Sequence, residues 1–420
     1  MKVLVLNSGS SSQKSCVYEI KDTPAVEPPS CLWEGKIEWA DGKAEYSIKN
    51  ARGVSRKDLP AFGSRRESIE RLLASSWSGE TQAISSPSEI DVVGHRVVHG
   101  GPHHFDPTFV TAEVKSAIES VSVFAPLHNR AELQGMEIVA KLLVSVPQVA
   151  VFDTGFHHAM PLAAATYPGP YEWFERGIRR YGFHGINHQY CAQRAAQLLG
   201  KENDLHSLKL VTCHLGNGCS LAAIREGRSV DTTMGFTPLD GLMMGTRSGS
   251  VDPGILTYLT RQSGFSAQQL DDLLNKKSGL LGISGISSDM REILAAAKDP
   301  SDPEKQSRAQ LAFDMYVHRL QSGIGAMVAV LGGVDALVFT AGVGENSPEV
   351  RTAVCNNLSF LGVQLDPAKN AQSLAGDSNN DRDITAPDAS VRVLVIHAQE
   401  DWMIARECWN LMRTAQARLG

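Results

Sequence analysis

Residues 2–20, KVLVLNSGSSSQKSCVYEI, decide the fold. An apolar run rich in β-branched residues enters a turn of small residues, and a second run leaves it, ending in an aromatic and an acid. Residues 208–227, LKLVTCHLGNGCSLAAIREG, have the same grammar. Each segment reads as a strand, a glycine-containing turn and a returning strand. One copy in each half of the chain points to two related domains. Two unrelated hairpins would leave the same trace, because glycine turns are common.

Outward from these hairpins, apolar runs at residues 90–93, 149–153, 336–340 and 391–396 read as further strands, beside 2–6 and 209–213. Helical spacing marks residues 130–143, 189–199, 303–331, 348–358 and 402–412. Asp302 before Pro303, and Ser347 before Pro348, are N-cap and first-turn pairs. Such alternation implies an α/β protein with helix-covered sheets. Residues 75–88, 298–303 and 376–390 have the Gly, Pro, Ser, Asp and Asn content of loops.

Composition excludes several classes. At 420 residues the chain exceeds one ordinary core and implies two or three domains. Forty Lys and Arg against 46 Asp and Glu leave a net charge of −6. That field disfavours nucleic acid and anionic membranes, so any bound anion must be gripped by local groups. The seven cysteines form no CxxC pair, which argues against a disulfide framework or zinc ribbon and fits a reducing cytoplasm. The first residues are too briefly apolar for a signal peptide. The most apolar stretch, 324–343, is broken by Gly332, Gly333 and Asp335, so no membrane span is expected.

Several segments have the makings of a site. In the turn from Asn7 to Lys14, small residues, hydroxyls and Lys14 offer donors to an anion, although the Walker order is missing. A plain polar hairpin reads the same way. The turn from His214 to Ser220 carries Asn217-Gly218, which by itself signals a type I′ hairpin. Residues 340–348, TAGVGENSP, follow a strand and open a helix, the order in which backbone approaches a nucleotide. Residues 235–249 are apolar yet aperiodic, with Arg247 set among glycines; this is a functional loop or a buried Ω-loop. Among thirteen histidines, His95 and His99 lie four apart in a strand, about 13 Å, too far to share a metal. His184 and His188 flank a helix start, and Gly182 and Gly185 leave the His184 ring accessible. Asp153, Glu400 and Asp401 stand at strand ends, either as turn and capping residues or as carboxylates for magnesium.

Nine segments occur together in this order: VLNSGSSSQK (5–14), GHRVVHGG (94–101), APLHNR (125–130), VFDTGFH (151–157), YGFHGINH (181–188), HLGNG (214–218), TPLDGLMMGTRSG (237–249), SSDMR (287–291) and GVGENSPEVR (342–351). The set closely resembles the acetate kinase family and spans nearly the whole chain. The resemblance implies two duplicated actin-like, ribonuclease H-like α/β domains with a nucleotide cleft between them, as in sugar kinases, heat-shock chaperones and actin. It implies a homodimer. It implies an N-terminal domain of residues 1–153 plus 398–420 on the acyl substrate side, and a nucleotide domain of residues 154–397.

The resemblance also implies roles. Asn7 and Glu400 match magnesium-site residues, with manganese an alternative metal. Lys14, the turn His214, Leu215, Gly216, Asn217 and Gly218, then Asp289, Met290 and Arg291, then Gly342, Val343, Gly344, Glu345 and Asn346 match the ATP and ADP site. Arg96 and Arg247 match the arginines holding the carboxylate and the moving phosphoryl, His184 the transition-state stabiliser and Asp153 the active-site acid. Val98, Leu127, Phe183 and Pro238 match a small apolar pocket for the acyl methyl, with His128 beside it. Two departures are Ile186-Asn187 where the family has Thr-Ser, and Ala398-Gln399-Glu400-Asp401 where it has Thr-Asn-Glu-Glu. The implied reaction is direct in-line transfer of the ATP γ-phosphoryl to acetate. A short carboxylate is already ionised, so such a reaction needs cations more than a base, and Asp153 is expected to orient a water or an arginine. Alternatives are a propionate or other short-chain acyl kinase, an actin-like ATPase with protein partners, and a zinc hydrolase.

Overall fold

The structure is a computed structural model. It describes every residue except 10–11, 41–42, 59–62, 123–125, 203, 373–380 and 420, and the side chains of all of these but 40, 126, 127 and 419. Eight strands, β1 (Lys2–Ser8), β2 (Ser12–Glu19), β3 (Trp33–Ala40), β4 (Lys43–Asn50), β5 (Ser55–Asp58), β6 (Val92–Val97), β7 (Thr108–Phe109) and β8 (Gln148–Phe152), form one sheet. Their order is β5-β4-β3-β2-β1-β6-β8-β7. Six more, β9 (Lys209–Leu215), β10 (Cys219–Arg225), β11 (Arg228–Thr232), β12 (Ala336–Thr340), β13 (Arg382–Asp383) and β14 (Arg392–Val395), form a second sheet. Its order is β11-β10-β9-β12-β14-β13.

The two sheets share one plan. β1-β2-β3 and β9-β10-β11 are antiparallel meanders. β6 and β8 then continue parallel to β1, as β12 and β14 continue parallel to β9. The echo between residues 2–20 and 208–227 is therefore a repeat of topology, and the fold is the expected duplicated α/β class. The chain divides into two compact units. One comprises Met1–His158, Gly185–Tyr190 and Gln399–Gly420, and holds the first sheet. The other comprises Ala159–His184 and Cys191–Ala398, and holds the second.

In the first unit, Leu4, Leu6, Val17, Trp33 and Val93 pack under the helices Arg65–Ala74 and Pro126–Leu142. The last helix, Glu400–Leu419, lies on the opposite face. Neighbouring strand residues point to opposite faces, and Gly94, next to Val93, meets that helix. A Cβ on Gly94 would stand 2.6 Å from Cys408 Sγ and 2.7 Å from Ile404 Cγ2, so a side chain here would push the helix away. In the second unit the long helix Pro303–Leu331 packs on β9, β10 and β11. It begins where its signals place it: the Asp302 side chain accepts from Lys305 N and Gly332 closes it in the left-handed region.

Other boundaries differ from expectation. The strand expected at 90–93 starts at Val92 and runs to Val97. β3 and β4 carry charges at alternate positions, and β5 carries three in a row. KAEYSIKN alternates exposed with buried along its whole length, a pattern that a search for apolar runs passes over. Residues 341–346 of the glycine-rich segment are a short helix. Of the loop expected at 376–390, residues 376–380 lie outside the described ones, and Arg382–Asp383 pair with β14. Among the described residues, no helix is long and apolar enough to cross a membrane.

Candidate active site

In the first unit, β1, β6 and β8 run parallel and side by side, so their carboxyl ends emerge together. Asn7 is near the end of β1, Arg96 near the end of β6, and Asp153 follows β8 directly. Ends of parallel strands are where open α/β sheets bind ligands. Arg96 Nη2 donates to Asp153 Oδ2 at 2.5 Å and Nη1 to Asn7 Oδ1 at 3.3 Å. Asn7 Nδ2 in turn donates to Glu400 Oε2 at 3.1 Å and Asp401 Oδ1 at 3.3 Å. Lys14 Nζ closes the chain at 2.7 Å from Asp401 Oδ2. The helix Glu400–Leu419 supplies both acids from its first turn, having docked on the sheet through Gly94.

Charges in this network hold each other. Burial works against the Arg96 cation, but Asp153 and then Glu400 outweigh it and lift the guanidinium above its usual range. Asp401 raises the Lys14 ammonium against the pull of burial. Burial opposes ionisation of Asp401, yet Lys14 holds its carboxyl below the ordinary value. Removing one partner of a buried ion pair costs about 3–5 kcal/mol, so Asp153 fixes Arg96 firmly. Three carboxylates against two cations leave one negative charge uncompensated. The donors are hard oxygens, an amide and carboxylates, which suit a magnesium ion that keeps water and phosphate ligands. Among the described residues there is no cluster of three or more His, Cys, Asp or Glu side chains placed to hold a metal.

In the second unit the turn between β9 and β10 is not type I′. That turn needs left-handed central residues, and neither Asn217 nor Gly218 has positive φ. It is held instead by Gly216 N to Gly218 O at 3.0 Å and by Gly245 N to Asn217 O at 3.1 Å. A Cβ on Gly218 would lie 2.7 Å from Arg247 Nη2 and 3.4 Å from His184 Nε2, so glycine is what lets both side chains approach. His184 sits at φ 58, ψ 22, a left-handed conformation costly for a non-glycine residue. Its ring stacks on His214 at 3.9 Å and its Nδ1 lies 2.9 Å from Ser220 Oγ. Arg247 Nη1 donates to Pro238 O at 2.6 Å, and burial lowers the guanidinium pKa. Among the described residues no carboxylate lies within ion-pair distance of Arg247.

A cavity of about 730 Å³ opens in the same unit. Gly216, Asn217, Asp289, Met290, Arg291, Gly342, Val343 and Asn346 line it, together with Ser288, Leu294, Ala295 and Lys298. His214, Leu215, Gly218, Gly344 and Glu345 are not in its lining. Glu345 turns inward: its carboxylate takes the Ala341 and Ala398 amides at 2.8 and 2.9 Å and the His397 ring at 2.5 Å. Of the apolar pocket residues, Val98 and Phe183 are buried, Pro238 is half-buried, and the Leu127 side chain lies outside the described ones. His128 is half-buried on the helix Pro126–Leu142. One residue of the first unit escaped the sequence reading, and another was read without its partner. Asp401, by sequence a capping acid or a magnesium carboxylate beside Glu400, pairs with Lys14. Glu132 had no signal, since one glutamate in a helix is ordinarily solvated.

A family model described as the acetokinase family matches residues 2–406. An acetate kinase from Cyanothece sp. is 58% identical over 416 residues, covering 99% of each chain. The crystal structure of Porphyromonas gingivalis acetate kinase superposes with TM-score 0.86 at 39% identity, covering 98% of this chain and 99% of that one. A propionate kinase structure from Francisella tularensis gives 0.84 at 36%, covering 97% and 98%. With its whole length so matched and its two sheets built on one plan, this chain belongs to the acetokinase family.

Proposed function

We propose that the protein is an acetate kinase, moving the γ-phosphoryl of ATP reversibly to acetate to give acetyl phosphate and ADP. A carboxylate oxygen forms the new bond to phosphorus as the bond to the β,γ-bridging oxygen breaks, and no proton is released. The observation that carries this reading is Arg247: a guanidinium largely withdrawn from water, offered no carboxylate among the described residues, and set beside His184 and Gly218. A buried cation needs an anion, and a transferring phosphoryl group is one. Arg96, oriented by Asp153, serves the carboxylate substrate. The network bound to Asp153 supports a positioning role for that acid in preference to a general base.

In this reading the first unit is the acyl side, and the cavity of the second, within the size range of ligand pockets, takes the nucleotide. Asn7 and Glu400 would hold the magnesium or manganese ion, which when bound neutralises phosphate charge. A cytoplasmic homodimer belongs to the same reading. It is supported by the helix Pro253–Ser263, none of whose residues is buried although it exposes Ile255 and Tyr258. Trapping acyl phosphate with hydroxylamine, with MgATP and acetate, propionate or butyrate, tests the function. The expected order is acetate above propionate above butyrate, since one methylene changes selectivity about 10–200-fold. Propionate as the better substrate would move the chain to the second reading, which the Francisella relative keeps open. No acyl phosphate from any of the three would overturn both.

A further inference from the structure

Glu132 is a carboxyl almost wholly shut from water, on the inward face of the helix Pro126–Leu142. Burial is expensive for such a group unless it is put to use. Both its oxygens accept from one donor, the amide of Val98, at 3.2 and 3.1 Å. Val98 is the first residue beyond β6. β1 pairs with β6 only as far as Leu6 opposite His95, and the next bond on the β8 side, Asp153 N to Val97 O, uses a carbonyl. The Val98 amide therefore leaves the sheet buried, and Glu132 is its acceptor. Two residues back stands Arg96.

We propose that Glu132 is a positioning residue for the acyl substrate, clamping the end of β6 so that Val98 and Arg96 hold their places and thereby setting the preference for acetate over longer acids. The inference rests on the acyl kinase reading above. The charged groups that bear on Glu132 are Arg96, from β6, and Asp153, from the end of β8. The helices Arg65–Ala74 and Ala112–Ser120, and β1, also pack on this helix but bring no resolved charge to it among the described residues. His128 stands one turn earlier on the same helix. Burial pushes the Glu132 carboxyl up to about 8, with Arg96 and the Val98 amide opposing and Asp153 assisting. At neutral pH it thus serves as a neutral clamp, and ionisation above that range adds a negative charge beside the arginine meant for an anion.

The test compares wild type, Glu132→Leu and Glu132→Gln by steady-state kinetics with acetate and propionate across pH 6–9. Glu132→Leu, which removes the acceptor, should raise KM for acetate at least tenfold, leave KM for ATP within about twofold, and shift the propionate-to-acetate ratio of kcat/KM at least threefold towards propionate. Glu132→Gln keeps an acceptor without a titrating proton. It should restore KM for acetate to within about threefold of wild type and abolish the fall in acetate kcat/KM that wild type should show above pH 8. Unchanged acetate KM in Glu132→Leu, or acetate and ATP KM rising in parallel in both variants, overturns the inference. If Glu132→Leu does not fold, Glu132→Gln decides alone: an alkaline fall identical to wild type overturns it. A wild type without acyl phosphate formation fails the acyl kinase reading, whereas an active wild type with indifferent variants fails this inference only.

Discussion

Arg96 and Arg247 meet the cost of burial in opposite ways. Arg96 is surrounded by acids before any substrate arrives; Arg247 has backbone carbonyl and imidazole neighbours. The first arrangement compensates the charge within the fold, while the second leaves it without a carboxylate among the described residues, as the proposed phosphoryl role requires. Replacing Arg247 with Ala should therefore lower turnover by about 10³-fold, the scale seen for arginines that stabilise a transferring phosphoryl group. The melting temperature should stay within a few degrees, because no ion pair is lost. Wild-type turnover in that variant would refute its role. Both arginines were legible in sequence because they stand in distinctive motifs. The pairing of Asp401 with Lys14 and the place of Glu132 were not, since they rest on burial, and burial of a helix acid depends on which face the helix docks.

At the level of elements, β6 shows how a strand prepares a site. It lies between β1 and β8, and its side chains alternate between two covered faces. His95 is buried and its Nε2 lies 2.8 Å from Gln148 Oε1. Burial lowers its pKa to about 4 from 6.5. Between these values the unfolded chain binds a proton that the folded chain refuses, so stability rises with pH through this window and is lost as pH falls through it. Urea denaturation of wild type and His95→Leu at pH 7, 5.5 and 4.5 should show their difference narrowing by roughly 1.4 kcal/mol per unit below pH 6.5. A constant difference would refute the assignment. The strands β1, β2, β9 and β10 were legible from apolar runs around glycine turns. β3 and β4 were hidden by their charges, because each is paired on both sides yet has one solvated face.

On the scale of the whole molecule, duplication is the organising fact. Each unit has a meander, two further parallel strands and its own core, and their sites differ: Arg96 and Lys14 are paired with acids in the first, whereas in the second Arg247 has no carboxylate within ion-pair distance among the described residues. The helix Pro253–Ser263 has no buried residue in the single chain. Two copies of the chain joined through it would cover Ile255 and Tyr258. Light scattering should give twice the chain mass for wild type and the chain mass for a protein with Ile255→Asp and Tyr258→Asp. A monomeric wild type would refute the dimer.

Sequence alone determined the α/β class, the repeated hairpin, the ends of the long helix and the motifs of the family, because these depend on spacing, capping and turn chemistry within short reach along the chain. Only the tertiary structure decided that Asp401 answers Lys14, that Glu345 turns inward, that the Asn217-Gly218 turn is not type I′ and that Glu132 grips Val98. Those outcomes depend on burial and on partners up to hundreds of residues away, which local patterns do not encode.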